Sequence, residues 1–292
     1  MENRESHNRA HDRAGFLIRA AFILLTFVLA AVIKLPAQVK GLSYEVYRES
    51  AKYYMDYQTR DLGNIEGQHV RVKYQPGDAG YAGIVLDAAE RFYLPIAEKY
   101  GLQAKGKVTV LVYPSREELN ASFGWPASEN AMGVYWAGVI RVLSPASWIE
   151  GGNPGEIRDA FTNTGPMAHE LTHLAVDYAT RGNCPRWFTE GLAQLEEYRL
   201  TGFRFTQDYD PGQSFYSLKD MDGNFDQLPD QALAYRESLS AVEFISSVQG
   251  EEKLQALVEA LGEGKSMEQS MQAVLGADIP TFEHNWRNWS GF

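Results

Sequence analysis

Two histidines four residues apart, with a glutamate beside the first, are the residues of this chain whose spacing most directly suggests chemistry. The segment is His169-Glu170-Leu171-Thr172-His173. If it is helical, residues i and i+4 share a face roughly 6 Å apart. Each imidazole can then give one nitrogen to a single Zn²⁺ at about 2.0–2.1 Å. Glu170 follows the first histidine and can reach a water beside the ion without ligating it, which is the general-base position of metal-assisted hydrolysis.

A catalytic zinc needs a third protein ligand and an open position for water. Asp177 lies on the same face, but eight residues beyond His169 means about 12 Å of rise, too far for both to reach one ion. An extended motif with a third histidine on the same segment would require Gly at Val176 and His at Ala179, and neither is present. Glu190 follows His173 by 17 residues. That is enough chain to finish one helix, turn through Gly182 to Pro185 and return beside it on a second. Glu190 is therefore the preferred third ligand.

Trp187-Phe188-Thr189-Glu190-Gly191-Leu192-Ala193 resembles the W-x-x-E-G-x-A segment of gluzincin metallopeptidases. Combined with His169-Glu170-x-x-His173, it makes the chain similar to the peptidase MA-like family, over a span from residue 67 to the C-terminus. Tyr235-Arg236-Glu237-Ser238, Phe282-Glu283 and Trp286-Arg287 are weaker matches. The resemblance implies an α+β, thermolysin-like zincin fold, with a small mixed sheet above an active-site helix and a helical lower half. It implies a zinc cofactor and a peptide or protein substrate, cut more readily as an endopeptidase would. It also makes Tyr235 the candidate phenol for stabilising the oxyanion, ahead of His284 and of His69, which reads as a strand residue. Val139 to Leu143 is the candidate edge strand to hold an extended peptide by β-addition. Two positions depart from the pattern. The amino-terminus grip G-x-M-E-N of the aminopeptidase branch is replaced by Glu129-Asn130-Ala131-Met132-Gly133. The Asp expected four residues after the ligand glutamate is Gln194, so Gln194 or Asp177 would have to support the ligands. These departures keep a second reading open, a zincin-fold binding or assembly module with weak or lost hydrolysis.

The elements that must position these residues can be read from periodicity. Residues 41–66 read as a Tyr-rich helical stalk or first packing helix, broken at Gly63 to Gly67. Residues 69–74 and 107–113 read as strands, and 81–100 as an amphipathic helix closed by Gly101. Ser115 and Glu118 form a capping-box pattern, and 132–143 a hairpin turning near Ala137-Gly138. One long helix is expected from Glu156 to about Thr180, a second from Pro185 to Leu200, an irregular excursion over 201–230, and helices to the end. The peptidase MA-like domain, 67–292, thus divides into an α+β half, 67–180, and a helical half, 181–292. Asp220 to Asp226 reads as a solvated acidic turn, because its glycine falls at position 4 rather than 6 of a calcium-type loop. Cys184 reads as a buried, inert thiol.

The chain has 292 residues, 27 basic and 38 acidic, for a net charge of -11. Six basic and three acidic residues lie in 1–40, leaving 21 basic and 35 acidic residues and a net charge of -14 on the remaining 252. So acidic a body repels phosphate backbones, which argues against nucleic acid as a partner. One cysteine excludes an intrachain disulfide. Phe16 to Ile33 is an 18-residue apolar run broken only by Arg19 and Thr26. It favours a retained signal anchor, a transmembrane helix preceded by a short cytoplasmic tip within 1–40, over a cleaved signal peptide. The catalytic body is then expected outside the cytoplasm, either tethered to the cell membrane by a single pass or secreted after cleavage.

Overall fold

The computed structural model describes residues 37–204 and 215–290. The apolar run Phe16 to Ile33 and the middle of the 201–230 excursion lie outside the described residues. Among the described residues no helix is long and apolar enough to cross a membrane.

Five strands form one mixed sheet. In chain order they are β1 (Gly63–Glu66), β2 (Val70–Tyr74), β3 (Val108–Tyr113), β4 (Gly133–Trp136) and β5 (Val139–Leu143), and in space the order is β1-β2-β3-β5-β4. β2, β3 and β5 run parallel, and β1 and β4 are antiparallel flanks. β2 and β3 are valine-rich and mostly buried, with half-buried residues at their second and last positions. The helix between them, α2 (Ala79–Tyr100), buries Ile84, Ala88, Phe92 and Ile96 from one face, and it ends where Gly101 takes the left-handed conformation. A short helix, α3 (Arg116–Ala121), follows β3, with the Ser115 side chain accepting from the Glu118 N–H as its cap.

The remaining helices are α4 (Pro154–Thr164), α5 (Met167–Thr180), α6 (Arg186–Thr201), α7 (Leu218–Asn224), α8 (Gln231–Phe244), α9 (Glu251–Gly262), α10 (Met267–Leu275) and α11 (Ile279–Ser290). Together with the sheet they give the α+β layering expected of the domain. α5 lies between the sheet and this helical half, its Leu171, Leu174, Ala175 and Val176 fully buried. α6 packs on α5 and on α8. The α6–α8 approach is close enough that a Cβ on Gly191 would lie 2.3 Å from the Ser238 carbonyl oxygen, so only glycine fits there.

Four expectations are corrected. The helix expected over 156–180 is two helices, because Gly165 precedes Pro166 and is held extended (φ -86°, ψ 167°), the conformation a following proline favours. The helical stalk expected over 41–66 ends early. α1 (Ala37–Gln58) is a helix, but 63–66 pairs with β2 as an edge strand. Of the two readings of this helix, the packing helix is the one seen, since Tyr44 and Arg48 of α1 pair with Asp177 of α5. Val139–Leu143 is not an edge. The hairpin turns through Ala137 and Gly138, both at positive φ, and folds β4 back along the outside of β5, so the free edge belongs to β4. Finally, the acidic segment 220–226 is solvated as expected, with Asp220, Asp222 and Asp226 exposed, but it is helical and not a turn. It forms α7 and the start of a 3₁₀ helix.

Candidate metal centre

α5 carries His169, Glu170 and His173, and α6 carries Glu190. Between them the chain turns through Arg181 and Gly182, both left-handed. The return brings Glu190 Oε2 to 3.2 Å from His169 Nε2 and 3.5 Å from His173 Nε2. One ligand atom from each of the three residues lies within 4.8 Å of the others. A tetrahedral ion with bonds of about 2.0–2.1 Å holds its donors about 3.3 Å apart, so these separations suit a single ion. The donor set, two imidazoles and one carboxylate, is one that could hold a metal ion. Among the described residues this is the one group of His, Cys, Asp and Glu side chains with such geometry.

The outward nitrogens of both rings are also held. His169 Nδ1 lies 3.4 Å from Glu197 Oε2, and His173 Nδ1 lies 2.8 Å from Thr189 Oγ1. With Nε2 used for ligation, each Nδ1–H donates to these oxygens and fixes its ring. On the other side of Glu190, Arg186 Nη1 lies 2.8 Å from Oε1. The electrostatics follow from burial and these neighbours. Burial opposes ionisation of Glu190, yet Arg186 and the two histidines hold its carboxyl well below the usual carboxylate range. Burial likewise disfavours charge on His169, but Glu190 and Glu197 win and raise it, whereas burial prevails at His173 and lowers it.

Glu170 stands apart from this cluster in chemistry. It is 5% exposed, and its Oε2 has no hydrogen-bond partner among the described residues. Burial, with His169 opposing and Glu190 adding, pushes its carboxyl up to about 7. The backbone N–H of Tyr135 on β4 hydrogen-bonds to it. β4 comes so near that a Cβ on Gly133 would lie 2.8 Å from Glu170 Oε1. The free edge of the sheet therefore runs directly over the general-base candidate.

Tyr235, on α8, stands edge-to-face on Phe225 with centroids 5.4 Å apart. Burial raises its phenol, and Glu190, Arg186 and Glu170 are near enough to perturb it electrostatically. It therefore lies beside the cluster, while His69 and His284 do not. His69 pairs with Glu90 at 2.9 Å, and His284 with Asn288 at 3.0 Å. The supporting roles expected of Gln194 and Asp177 are not seen. Gln194 Nε2 donates to the carbonyls of Glu190 and Tyr235, tying α6 to α8. Asp177 accepts from Tyr44, Arg48 and Tyr135 instead. The residues that do support the imidazoles, Thr189 and Glu197, were missed. Glu197 lies seven residues after Glu190, two turns along the same face of α6, and that spacing was the available signal.

A model of the peptidase MA superfamily matches residues 88–291. The chain belongs to the peptidase MA superfamily. The match opens inside α2 and runs through α11, so it contains both helices of the centre. The α+β architecture fits a domain of this superfamily, and the three clustered side chains could hold the metal on which its members generally depend. As a superfamily member the chain is read as a peptidase, acting on peptide or protein. No curated protein matches the chain.

Proposed function

We propose that this chain is a zinc metallopeptidase, tethered at a membrane by Phe16–Ile33 with its catalytic body outside the cytoplasm. The observation that carries the enzymatic part is the convergence of His169, His173 and Glu190 beside a buried carboxyl, Glu170, one of whose oxygens has no partner among the described residues. A zinc ion held by the three would supply Lewis acidity, polarising the scissile carbonyl and acidifying the attacking water. Glu170 takes a proton from that water and delivers it to the leaving amine. Burial lifts its pKa toward neutrality, and a nearby cation would draw it back down, so the group can serve as base and then as acid. The Tyr235 phenol, kept protonated by burial, donates a hydrogen bond to the developing oxyanion. A substrate strand adds to the free edge of β4, which aligns its backbone over Glu170.

The test uses the full chain purified with added zinc. Wild type should bind one zinc per chain and hydrolyse an unstructured protein. Glu170→Gln should keep the metal and lose the hydrolysis, and Glu190→Ala should lose most of the metal. Equal hydrolysis by wild type and Glu170→Gln would rule out this mechanism. A folded wild type without zinc would rule out the metal assignment. Zinc-loaded wild type that binds unfolded protein without cutting it would favour a binding module instead.

A further inference from the structure

α1 turns two of its six charged residues, Arg48 and Lys52, inward, while Glu45 and Glu49 are half-buried. Its inward residues are Tyr44, Arg48 and Lys52. Arg48 pairs with Asp177 at 2.9 Å and lies 3.6 Å over the Tyr178 ring, and Tyr44 donates to Asp177 at 2.7 Å. Lys52 Nζ lies 3.2 Å from the Tyr178 hydroxyl. Outward, Val39, Leu42, Val46, Tyr53, Tyr54 and Tyr57 are exposed, Tyr53 by 78%. Lys40 and Asp56 are the only charged residues of the helix in the exposed class. A surface helix ordinarily buries its apolar stripe and shows its charges to water. The outward face from Val39 to Tyr57, about 27 Å long and interrupted by exposed Ser43 and Ser50, is thus mainly aromatic and aliphatic and has no partner among the described residues.

We propose that this outward face of α1 lies against the surface of the lipid bilayer, beside the point where Phe16–Ile33 enters it. The proposal rests on the anchor reading above. Only Lys34, Leu35 and Pro36 separate the apolar run from the first residue of α1. The four steps from Ile33 to Ala37 span at most about 14 Å, so α1 begins within that distance of the end of the apolar run. Tyrosine and tryptophan suit the membrane–water interface, because their rings are apolar and their polar tips stay wet. Lys40, exposed near the start of α1, can snorkel to the headgroups. The face continues onto the catalytic body. Tyr47 meets Trp136 edge-to-face at 6.0 Å, and Trp136 is the exposed last residue of β4. Since the Tyr135 N–H of the same strand reaches Glu170, a bilayer against α1 sets the free substrate edge close to the membrane. The substrates favoured by such a placement are membrane-proximal segments of other proteins.

The test labels the full chain, in a Cys184→Ser background, with an environment-sensitive nitrobenzoxadiazole at Val46→Cys or Tyr53→Cys. Exposed Gln272→Cys on α10 is the reference. Each protein is reconstituted into phosphatidylcholine–phosphatidylglycerol vesicles carrying a nitroxide lipid, and flotation is measured alongside. The expected result is blue-shifted emission at 46 and 53 and quenching several-fold stronger than at 272. If the protein floats with the vesicles but all three labels quench alike, the anchor stands and α1 does not lie on the bilayer. If the protein does not float, the anchor reading falls and this proposal falls with it. Shielding that resists the nitroxide and grows with the protein-to-lipid ratio would mean that a second copy covers the face, which also overturns the proposal.

Discussion

At the scale of single residues, Glu190 is divided between two neighbours, with Oε1 on Arg186 and Oε2 toward the imidazoles. Its place was legible because sequence separation and helix geometry together allow few ways to bring a carboxylate back to His169 and His173. The imidazoles' supports were less legible. Same-face arithmetic made Asp177 a candidate, but it could not show that Tyr44 and Arg48 from α1 and Tyr135 from β4 would claim that carboxylate. Two predictions belong at this scale. Glu170→Gln should lower kcat/KM by roughly 10²–10⁴-fold, the usual contribution of a positioned general base. Steady-state hydrolysis measures it, and a loss smaller than tenfold would count against the role. Glu197→Gln, which removes the charge facing His169 Nδ1, should weaken zinc affinity by about 10–100-fold. Chelator competition reads this directly, and an unchanged affinity would show that Glu197 does not support the ligand.

At the scale of elements, most strands and helices could be read from their alternation and caps, including the 132–143 hairpin. What could not be read was order in space. Nothing local to Val139–Leu143 says that its own hairpin partner will occupy the outer position. The break between α4 and α5 was legible in principle, since Gly165-Pro166 is a strong stop, but helical periodicity on both sides masked it. Glycines inside helices give a sharp contrast. Gly191→Ala drives a methyl into the Ser238 carbonyl and should destabilise by about 1–3 kcal/mol, as overpacking does. Gly83→Ala in α2 meets nothing within 4 Å and should stabilise by up to about 1 kcal/mol. Urea unfolding of the two variants should shift in opposite directions, and a shift of the same sign would contradict the packing described for α6 and α8.

At the scale of the whole molecule, acid and base act on stability through different carboxyls. Glu237 is fully buried, with Oε2 accepting from the Tyr216 N–H and Oε1 without a partner among the described residues, and burial pushes it from 4.5 up to about 8. The unfolded chain therefore releases this proton first. The stability held below pH 4.5 is lost as pH rises toward 8. Glu251 has the opposite sign. Burial raises it, but Arg199, Lys99 and Ser246 prevail and lower it to about 2, so its contribution is full above 4.5 and is lost as pH falls toward 2. Glu237→Gln should flatten the decline toward pH 8 and Glu251→Gln the decline toward pH 2, read by urea unfolding across that range. Slopes matching wild type would refute both assignments.

The order of the strands also bears on how the protein can be handled. The superfamily match starts at residue 88, yet the sheet continues past that boundary through β2 and β1. A truncation at 88 would cut α2 and strip β2 from β3, baring the backbone edge of Val108-Thr109-Val110-Leu111-Val112-Tyr113. That hexamer is rich in β-branched residues, uncharged and free of proline, the composition that seeds cross-β stacking. The expected result is a fragment that precipitates as fibrils rather than folding, visible by thioflavin binding, so the first two strands serve as a guard against self-assembly as much as they serve as part of a core.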